Sequence, residues 1–188
     1  CRKHNIAAIA SMRMNDAHTS DEAREWQVRS ELKKSRRDLL IGSPTPTRAG
    51  HADRWNFCWQ WNYEHEEVRA RFLGLVDEIL ERYDFDGVEL DWMRGPPYFR
   101  TGRLLDNLDP LTGFKREAHG IVRRHSETKG KKISLISRVP PSLSEARLIG
   151  LDTPTWIREP VADLFVLSSA SYCPGHFDIA EAVEYAND

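Results

Sequence analysis

The segment 87–91, Gly-Val-Glu-Leu-Asp, constrains the fold of this chain more than any other stretch of its sequence. Side chains alternate between the two faces of a β-strand, so Glu89 and Asp91 share one face and the apolar residues share the other. Burying two carboxylates on one face is costly unless they are paired or used. The segment therefore predicts a strand with an apolar face for packing and an acidic face for chemistry.

An amphipathic helix is predicted immediately before this strand, from Glu64 to Arg82. Its apolar residues recur at helical spacing and are Val68, Phe72, Leu75, Val76, Ile79 and Leu80. Acidic residues in the first turn and Arg82 at the end suit the helix dipole. A helix that leads through a tight Asp-Gly join into a strand is typical of a βαβ unit.

Three further apolar segments predict strands, at residues 6–14, 133–139 and 162–169. They alternate with helical patterns, which indicates four or five β/α units and hence an α/β fold. Our first expectation is a TIM-type (β/α)8 barrel. It would be partial in this chain, because a complete barrel takes about 250 residues and the chain has 188. We therefore expect residues 1–188 to be a single domain and a fragment of a longer barrel, with a doubly wound α/β sheet as the alternative.

Every second residue from Trp55 to Tyr63 is aromatic, which is the periodicity of a strand. Two interpretations stay open at this point. The rings either pack beneath helices or form a platform on which sugar rings stack. Trp61 and Tyr63, at the predicted carboxyl end of this strand, are the two that we expect to contact a ligand.

Polar side chains follow the predicted strands at their carboxyl ends, where barrels of this kind place their chemistry. These residues are Arg13, Asn15, Arg94 and Arg138. We expect them to bind substrate, and for Arg13 and Asn15 an equal alternative is that they satisfy loop backbone and a salt bridge. Three arginines at one mouth also suit an anionic sugar, such as a uronate or a sulfated residue, through bidentate contacts.

The acidic strand and its surroundings resemble a known group of enzymes. Residues 86–91, Asp-Gly-Val-Glu-Leu-Asp, resemble the fourth-strand signature of (β/α)8 glycoside hydrolases. Together with Arg-Tyr-Asp at residues 82–84, they are most similar to the family-10-like glycosyl hydrolase group. Family 18 chitinases carry a related Asp-x-x-Asp-x-Asp-x-Glu pattern, but this chain has Met93 where that family has its final acid. Substrate-assisted chemistry of the chitinase kind is therefore not expected.

The resemblance implies a glycoside hydrolase that cleaves an oligo- or polysaccharide with a pair of carboxylates. Asp91, at the carboxyl end of the strand, would be one catalytic group and Glu89 the second, with Asp16 and Asp106 as alternatives to Glu89. The resemblance also favours a periplasmic or extracellular location. The alternative function is a non-catalytic carbohydrate-binding or scaffold barrel, in which the two acids only form an ionic network with the arginines.

Composition and spacing exclude several other functions. A net charge of −2 argues against a nucleic-acid or anionic-membrane partner, and no apolar run is long enough to span a bilayer. The 3 cysteines do not make a disulfide framework, and His51 with Asp53 is a weak basis for a metal site. An amidohydrolase would need a His-x-His motif near the first strand. We therefore predict a carbohydrate ligand, no metal and no cofactor, and the sequence holds no signal for an oligomeric state.

Overall fold

The computed structural model of this chain describes residues 1–15, 30–42, 59–100, 108–168 and 179–187. Its strands are β1 (Ile9–Arg13), β2 (Gly87–Asp91), β3 (Ser134–Val139) and β4 (Leu164–Leu167). Its α-helices are α1 (Glu31–Ser35), α2 (Glu66–Arg82), α3 (Leu108–Lys129), α4 (Leu143–Leu148), α5 (Thr153–Arg158) and α6 (Ile179–Asn187). Short 3-10 helices occur at Arg2–His4 and Arg37–Leu39.

The four strands form one parallel sheet in the order β1-β2-β3-β4. Helices alternate with the strands along the chain, so the α/β prediction is confirmed. The strand that carries Glu89 and Asp91 is β2, which is hydrogen-bonded to β1 on one side and to β3 on the other. The acidic strand is therefore an inner strand of the sheet, as its apolar face requires.

Helix α2 begins at Glu66, two residues later than the periodicity indicates, because His65 has an extended backbone. Its buried stripe consists of Val68, Phe72, Val76 and Leu80. These side chains belong to one core cluster with the apolar face of β2. Each such burial contributes about 1.5–3 kcal/mol, and this packing fixes the orientation of β2 beside the helix.

Helix α3 completes the cover on the same side of the sheet. Phe114, Ala118 and Val122 of α3 join the core cluster with Val88 and Leu90 of β2. Because neighbouring residues of a strand point to opposite faces, Glu89 and Asp91 lie on the face turned away from this core. The helices therefore occupy one side of β2, and the acids occupy the other.

Gly87 begins β2 at a point where two neighbours leave no room for a side chain. A Cβ atom at this position would lie 2.7 Å from Ser134 O and 2.9 Å from Ile9 Cδ1. Both neighbours belong to the paired strands β1 and β3. The glycine of the Asp-Gly join is thus what allows β2 to sit closely between them.

Asp86 lies at the amino end of β2, at the opposite end of the strand from Asp91. Its Oδ2 accepts a 2.8 Å hydrogen bond from Ala8 N, just ahead of β1. Its Oδ1 lies 3.1 Å from Lys131 Nζ, ahead of β3. Asp86, the first acid of the motif, therefore connects the amino ends of β1, β2 and β3.

The predicted strand through the aromatic run is wrong for residues 59–63. The ladder there is limited to one antiparallel bridge, between Leu40 and Trp61. Two flanking backbone hydrogen bonds support it, from Ile41 N to Gln60 O and from Asn62 N to Leu39 O. Alternating hydrophobicity predicts the face on which each ring lies. A strand also needs a neighbouring strand that supplies successive backbone hydrogen bonds. Residues 51–58 lie outside the described part of the chain.

Candidate functional site

A row of three charged residues crosses the sheet near the carboxyl ends of its strands. Arg13 is in register with Asp91, and Asp91 is in register with Arg138. Adjacent strands lie about 4.8 Å apart, and residues in register share a face. One carboxylate therefore lies between two guanidinium-bearing residues, on the face opposite the helical core. Three of the sequence-predicted site residues are brought together in this row.

Asp91 is the most enclosed member of the row, with only 9 % of its side chain exposed. Its Oδ1 accepts a 3.0 Å hydrogen bond from Met93 N. Its Oδ2 lies 3.6 Å from Arg138 Nη1. Both oxygens thus face a hydrogen-bond donor or a positive charge.

Arg138 connects Asp91 to the end of the last strand. While Nη1 faces Asp91, its Nη2 donates a 2.7 Å hydrogen bond to Ser168 Oγ, immediately after β4. About 38 % of the Arg138 side chain remains exposed. Ser168 was not among the site residues predicted from the sequence. Its position near the end of a predicted strand is the feature that could have indicated it.

Glu89 lies one pleat deeper than Asp91 on the same face of β2. It is in register with Ser11 of β1, and Ser11 Oγ donates a 2.6 Å hydrogen bond to Glu89 Oε1. The Glu89 side chain is partly exposed. The two acids of the motif therefore occupy successive levels of one face, with different hydrogen-bond partners.

The two other predicted arginines differ in exposure. Arg13 is exposed at the end of β1, and Arg94 is partly buried three residues after Asp91. Arg13 is the last residue of β1 and Arg94 follows β2 by three residues, so both belong to the carboxyl ends of their strands.

Asn15 is completely buried and holds backbone. Its Oδ1 accepts a 3.0 Å hydrogen bond from Trp61 N, and its Nδ2 donates to Trp61 O at 3.1 Å. The same Nδ2 donates to Pro97 O at 3.4 Å. Of the two alternatives for Asn15, this geometry matches the one in which it satisfies loop backbone.

Tyr63 is also completely buried, and its ring presents no face to a ligand. The aromatic rings around it are those of Phe72, Trp92, Tyr98 and Phe114. Its hydroxyl donates to Met14 O. Burial raises the pKa of Tyr63 well above its usual value, so the hydroxyl stays protonated and acts as a donor within the core.

Trp61 and Trp59 are buried as well, with 6 % and 4 % of their surface exposed. Lys33 Nζ lies 5.0 Å from the ring centroid of Trp61, and Arg37 Cζ lies 4.5 Å from that of Trp59. Cations at this distance stabilise indole rings. Of the two interpretations of the aromatic run, packing fits the described rings better than an open platform for sugars.

Tyr98 is a buried residue next to the site that the sequence analysis missed. Its hydroxyl donates to Trp92 O, directly after the acidic strand. Burial, and to a smaller extent the negative charge of Asp91, raises the pKa of Tyr98 well above its usual value. The residue follows Pro97 in a loop sequence, where nothing in the local pattern indicates burial.

Within the described ranges, no group of three or more His, Cys, Asp or Glu side chains is arranged to hold a metal ion. Among the same residues, no helix has the length and apolar character needed to cross a membrane. The candidates Asp16, His51, Asp53 and Asp106 lie outside the described residues.

Two comparisons with known proteins found no match. No protein-family model matches the chain, and no curated protein matches it. The function therefore has to be argued from the sequence motif and from the geometry around Asp91.

Proposed function

We propose that this chain is a glycoside hydrolase-like enzyme that cleaves a glycosidic bond of an oligo- or polysaccharide. The row Arg13–Asp91–Arg138 carries the proposal, because it sets an enclosed carboxylate between positive charges at the carboxyl end of a parallel sheet. Sites of (β/α)8 enzymes are built at this end. Asp91 is the proposed nucleophile or base, since its two oxygens face Met93 N and Arg138.

Glu89 is the proposed second carboxylate. It lies on the same face as Asp91, and their Cα atoms are roughly 6–7 Å apart along the strand. Glycosidases need one group to protonate the leaving oxygen and another to attack the sugar or activate water. Ser11 Oγ donates to Glu89 Oε1, and the other carboxylate oxygen, Oε2, is the one proposed for this chemistry.

We also infer that the sheet is part of a (β/α)8 barrel. In a doubly wound sheet the strand order reverses at a switch point, whereas the described strands follow their chain order without a reversal. On the acidic face, Ile9 is in register with Gly87, and Leu164 lies through Ile136 at the level of Glu89. These two apolar residues keep 38 % and 53 % of their surface exposed, and further strands that close a barrel would cover them. An experimental structure in which the strand order reverses would contradict the inference.

The class of sugar follows from the charge at the mouth. Arg13 is the last residue of β1 and Arg94 follows β2 by three residues, and these two arginines at the carboxyl ends of their strands are the ones proposed to contact substrate. Two guanidinium groups favour a uronate or a sulfated sugar over a neutral one. Equal affinity for neutral and anionic oligosaccharides would contradict this part of the proposal.

The alternative is a non-catalytic carbohydrate-binding or scaffold barrel. The observation in its favour is that Asp91 is paired with Arg138 and little exposed, as in a structural ion pair. The two functions differ in turnover, because an enzyme releases cleaved product and a binding or scaffold protein does not.

The test is a panel of neutral, uronic and sulfated oligosaccharides, with product release and thermal shift measured in parallel. Bound ligand raises the melting temperature by mass action. Asp91→Asn keeps an oxygen for Met93 N, so we expect retained binding and a loss of turnover of about 10²–10⁴-fold. Glu81→Gln, at an exposed acid of α2, is the control and should keep full turnover. Undiminished turnover in Asp91→Asn would contradict the proposal, and binding without turnover in the unmodified protein would favour the scaffold alternative.

A further inference from the structure

The loop that follows Asp91 has its backbone held by a glutamine from a distant segment. Gln60 Nε2 donates to Gly95 O at 2.5 Å and to Pro96 O at 3.0 Å. Only 3 % of Gln60 is exposed, and its Oε1 is buried without a hydrogen-bond partner among the described residues. A buried unpartnered oxygen costs free energy. An apolar residue would avoid that cost, so the value of a glutamine here lies in the two donations to the loop.

The next carbonyl of the loop is held by a second side chain. Asn15 Nδ2 donates to Pro97 O at 3.4 Å. The same amide group bonds both backbone atoms of Trp61, so the end of β1, residue 61 and the loop are joined at one buried point. Asn15 thus links the loop to the end of β1.

The following carbonyl completes a run of four. Tyr63 N donates to Tyr98 O at 2.9 Å, and the Tyr98 hydroxyl returns to Trp92 O. The carbonyls of residues 95–98 therefore each accept a hydrogen bond from outside the loop. A loop with two prolines has few backbone N–H donors of its own. The hydrogen bonds from outside the loop therefore satisfy its carbonyl groups.

Gly95 shows how closely the loop is held. Its φ angle is +76°, a conformation that favours glycine. A Cβ atom at this position would lie only 2.5 Å from Asn15 O. The backbone of the loop is therefore packed directly against the residue that anchors it.

This loop contributes directly to the candidate site. Met93 N donates to Asp91 Oδ1, and Arg94 follows it at the mouth. A displacement of the loop would move the donor that orients the Asp91 carboxylate, and a misplacement of about 1 Å can reduce a reaction rate by about 10²-fold.

We propose that Gln60 and Asn15 are positioning residues, which fix the backbone of residues 95–97 and thereby hold the preceding Met93 N against the Asp91 carboxylate. The expected effect on catalysis rests on the proposed function. The structural claim, that the two residues hold Met93 N in place, can be tested without any substrate.

The main variant is Gln60→Met, which removes both donations at similar volume and introduces no charge. Gln60→Asn, which keeps the amide but shortens its reach, is the second variant in case the first does not fold. The matched control is Thr112→Val, which removes a buried hydroxyl whose described hydrogen bonds join it to Trp156 Nε1 at 3.0 Å and to Leu108 O at 3.2 Å rather than to the loop. All three changes should lower the melting temperature, and only the changes at Gln60 should affect the loop.

The first readout is the hydrogen exchange rate of the Met93 amide, which we expect to rise at least about tenfold in Gln60→Met and to stay unchanged in Thr112→Val. The second is turnover on an active sugar, for which we expect kcat to fall by about 10²-fold with a much smaller change in KM. Unchanged Met93 exchange, or equal effects of Gln60→Met and Thr112→Val, would overturn the inference. Faster exchange together with no turnover in the unmodified protein would support the positioning of Met93 and refute the enzymatic proposal instead.

Discussion

Lys115 Nζ donates a 2.5 Å hydrogen bond to Ser137 Oγ, and both side chains are completely buried. The bond joins α3 to β3 at the residue before Arg138. The ammonium group lies 5.6 Å from the ring centroid of Trp156. Burial lowers the pKa of Lys115 to about 7, against the opposing charge of Asp163. A buried amine that titrates near neutrality makes the packing of α3 on the sheet depend on pH.

The first prediction concerns this pH dependence. An unfolded lysine has a pKa of about 10.4, so between about pH 7 and pH 10 the unfolded chain binds the proton that the folded chain lacks. The free energy of unfolding should therefore rise with pH across this window, and the penalty is complete below about pH 7. The double variant Lys115→Met with Ser137→Ala removes the amine and its partner together. It should be more stable at pH 7 by a few kcal/mol, since one pKa unit corresponds to about 1.4 kcal/mol.

Denaturant unfolding at a series of pH values measures this effect. The difference between the double variant and the unmodified protein isolates Lys115 from other titrating groups. That difference should shrink as the pH approaches 10. A difference that stays constant from pH 7 to pH 10 would show that Lys115 is charged in the folded protein.

The second prediction concerns the start of β2. Gly87→Ala places a methyl group 2.7 Å from Ser134 O, and overpacking of this kind costs about 1–3 kcal/mol. Gly120→Ala in α3, where no atom lies within 4 Å of the new Cβ, should instead stabilise the protein by about 0.4–1 kcal/mol. Thermal unfolding of the two variants should shift in opposite directions. Equal shifts would mean that β2 can move away from β3 at no cost.

The third prediction concerns the partner of Asp91. Arg138→Gln removes the positive charge beside Asp91 Oδ2 and weakens the link to Ser168. The loss of stability should be about 1 kcal/mol, because Arg138 is partly exposed. Turnover should fall by more than this loss of stability explains, since the Asp91 carboxylate loses its orientation. Added salt should not restore the turnover. The measurement is the rate of product release. An unchanged kcat in this variant would show that Arg138 does not affect the catalytic role of Asp91.

The fourth prediction separates the two ends of the acidic motif. Asp86→Ala removes the acceptor for Ala8 N and one of the two carboxylate partners of Lys131, the other being Asp84, which should cost about 1–3 kcal/mol of stability. The binding of sugars should persist in the folded fraction, because Asp86 lies at the amino end of β2 and Asp91 at the carboxyl end. Thermal shift with a bound oligosaccharide measures both quantities. A loss of binding at full stability would place Asp86 in the site.

Local periodicity was enough to predict the elements around β2. The spacing of Val68, Phe72, Val76 and Leu80 indicates the buried stripe of α2, and the alternation in β2 indicates which residues share a face with Asp91. The same rule predicts a strand at residues 59–63 incorrectly, since those residues share one isolated bridge with Leu40 rather than a ladder.

The sequence by itself determined helix α2, the four strands of the sheet and the face of β2 on which Glu89 and Asp91 lie, because these depend on neighbours within a few residues. Only the tertiary structure decided that Arg13 and Arg138 flank Asp91, since the register between strands is set by the packing of the whole sheet. It also decided that Asn15 and Gln60 hold a distant loop and that Lys115 is buried. A polar residue has the same local pattern whether it faces water or the core, and only contacts between distant segments distinguish the two.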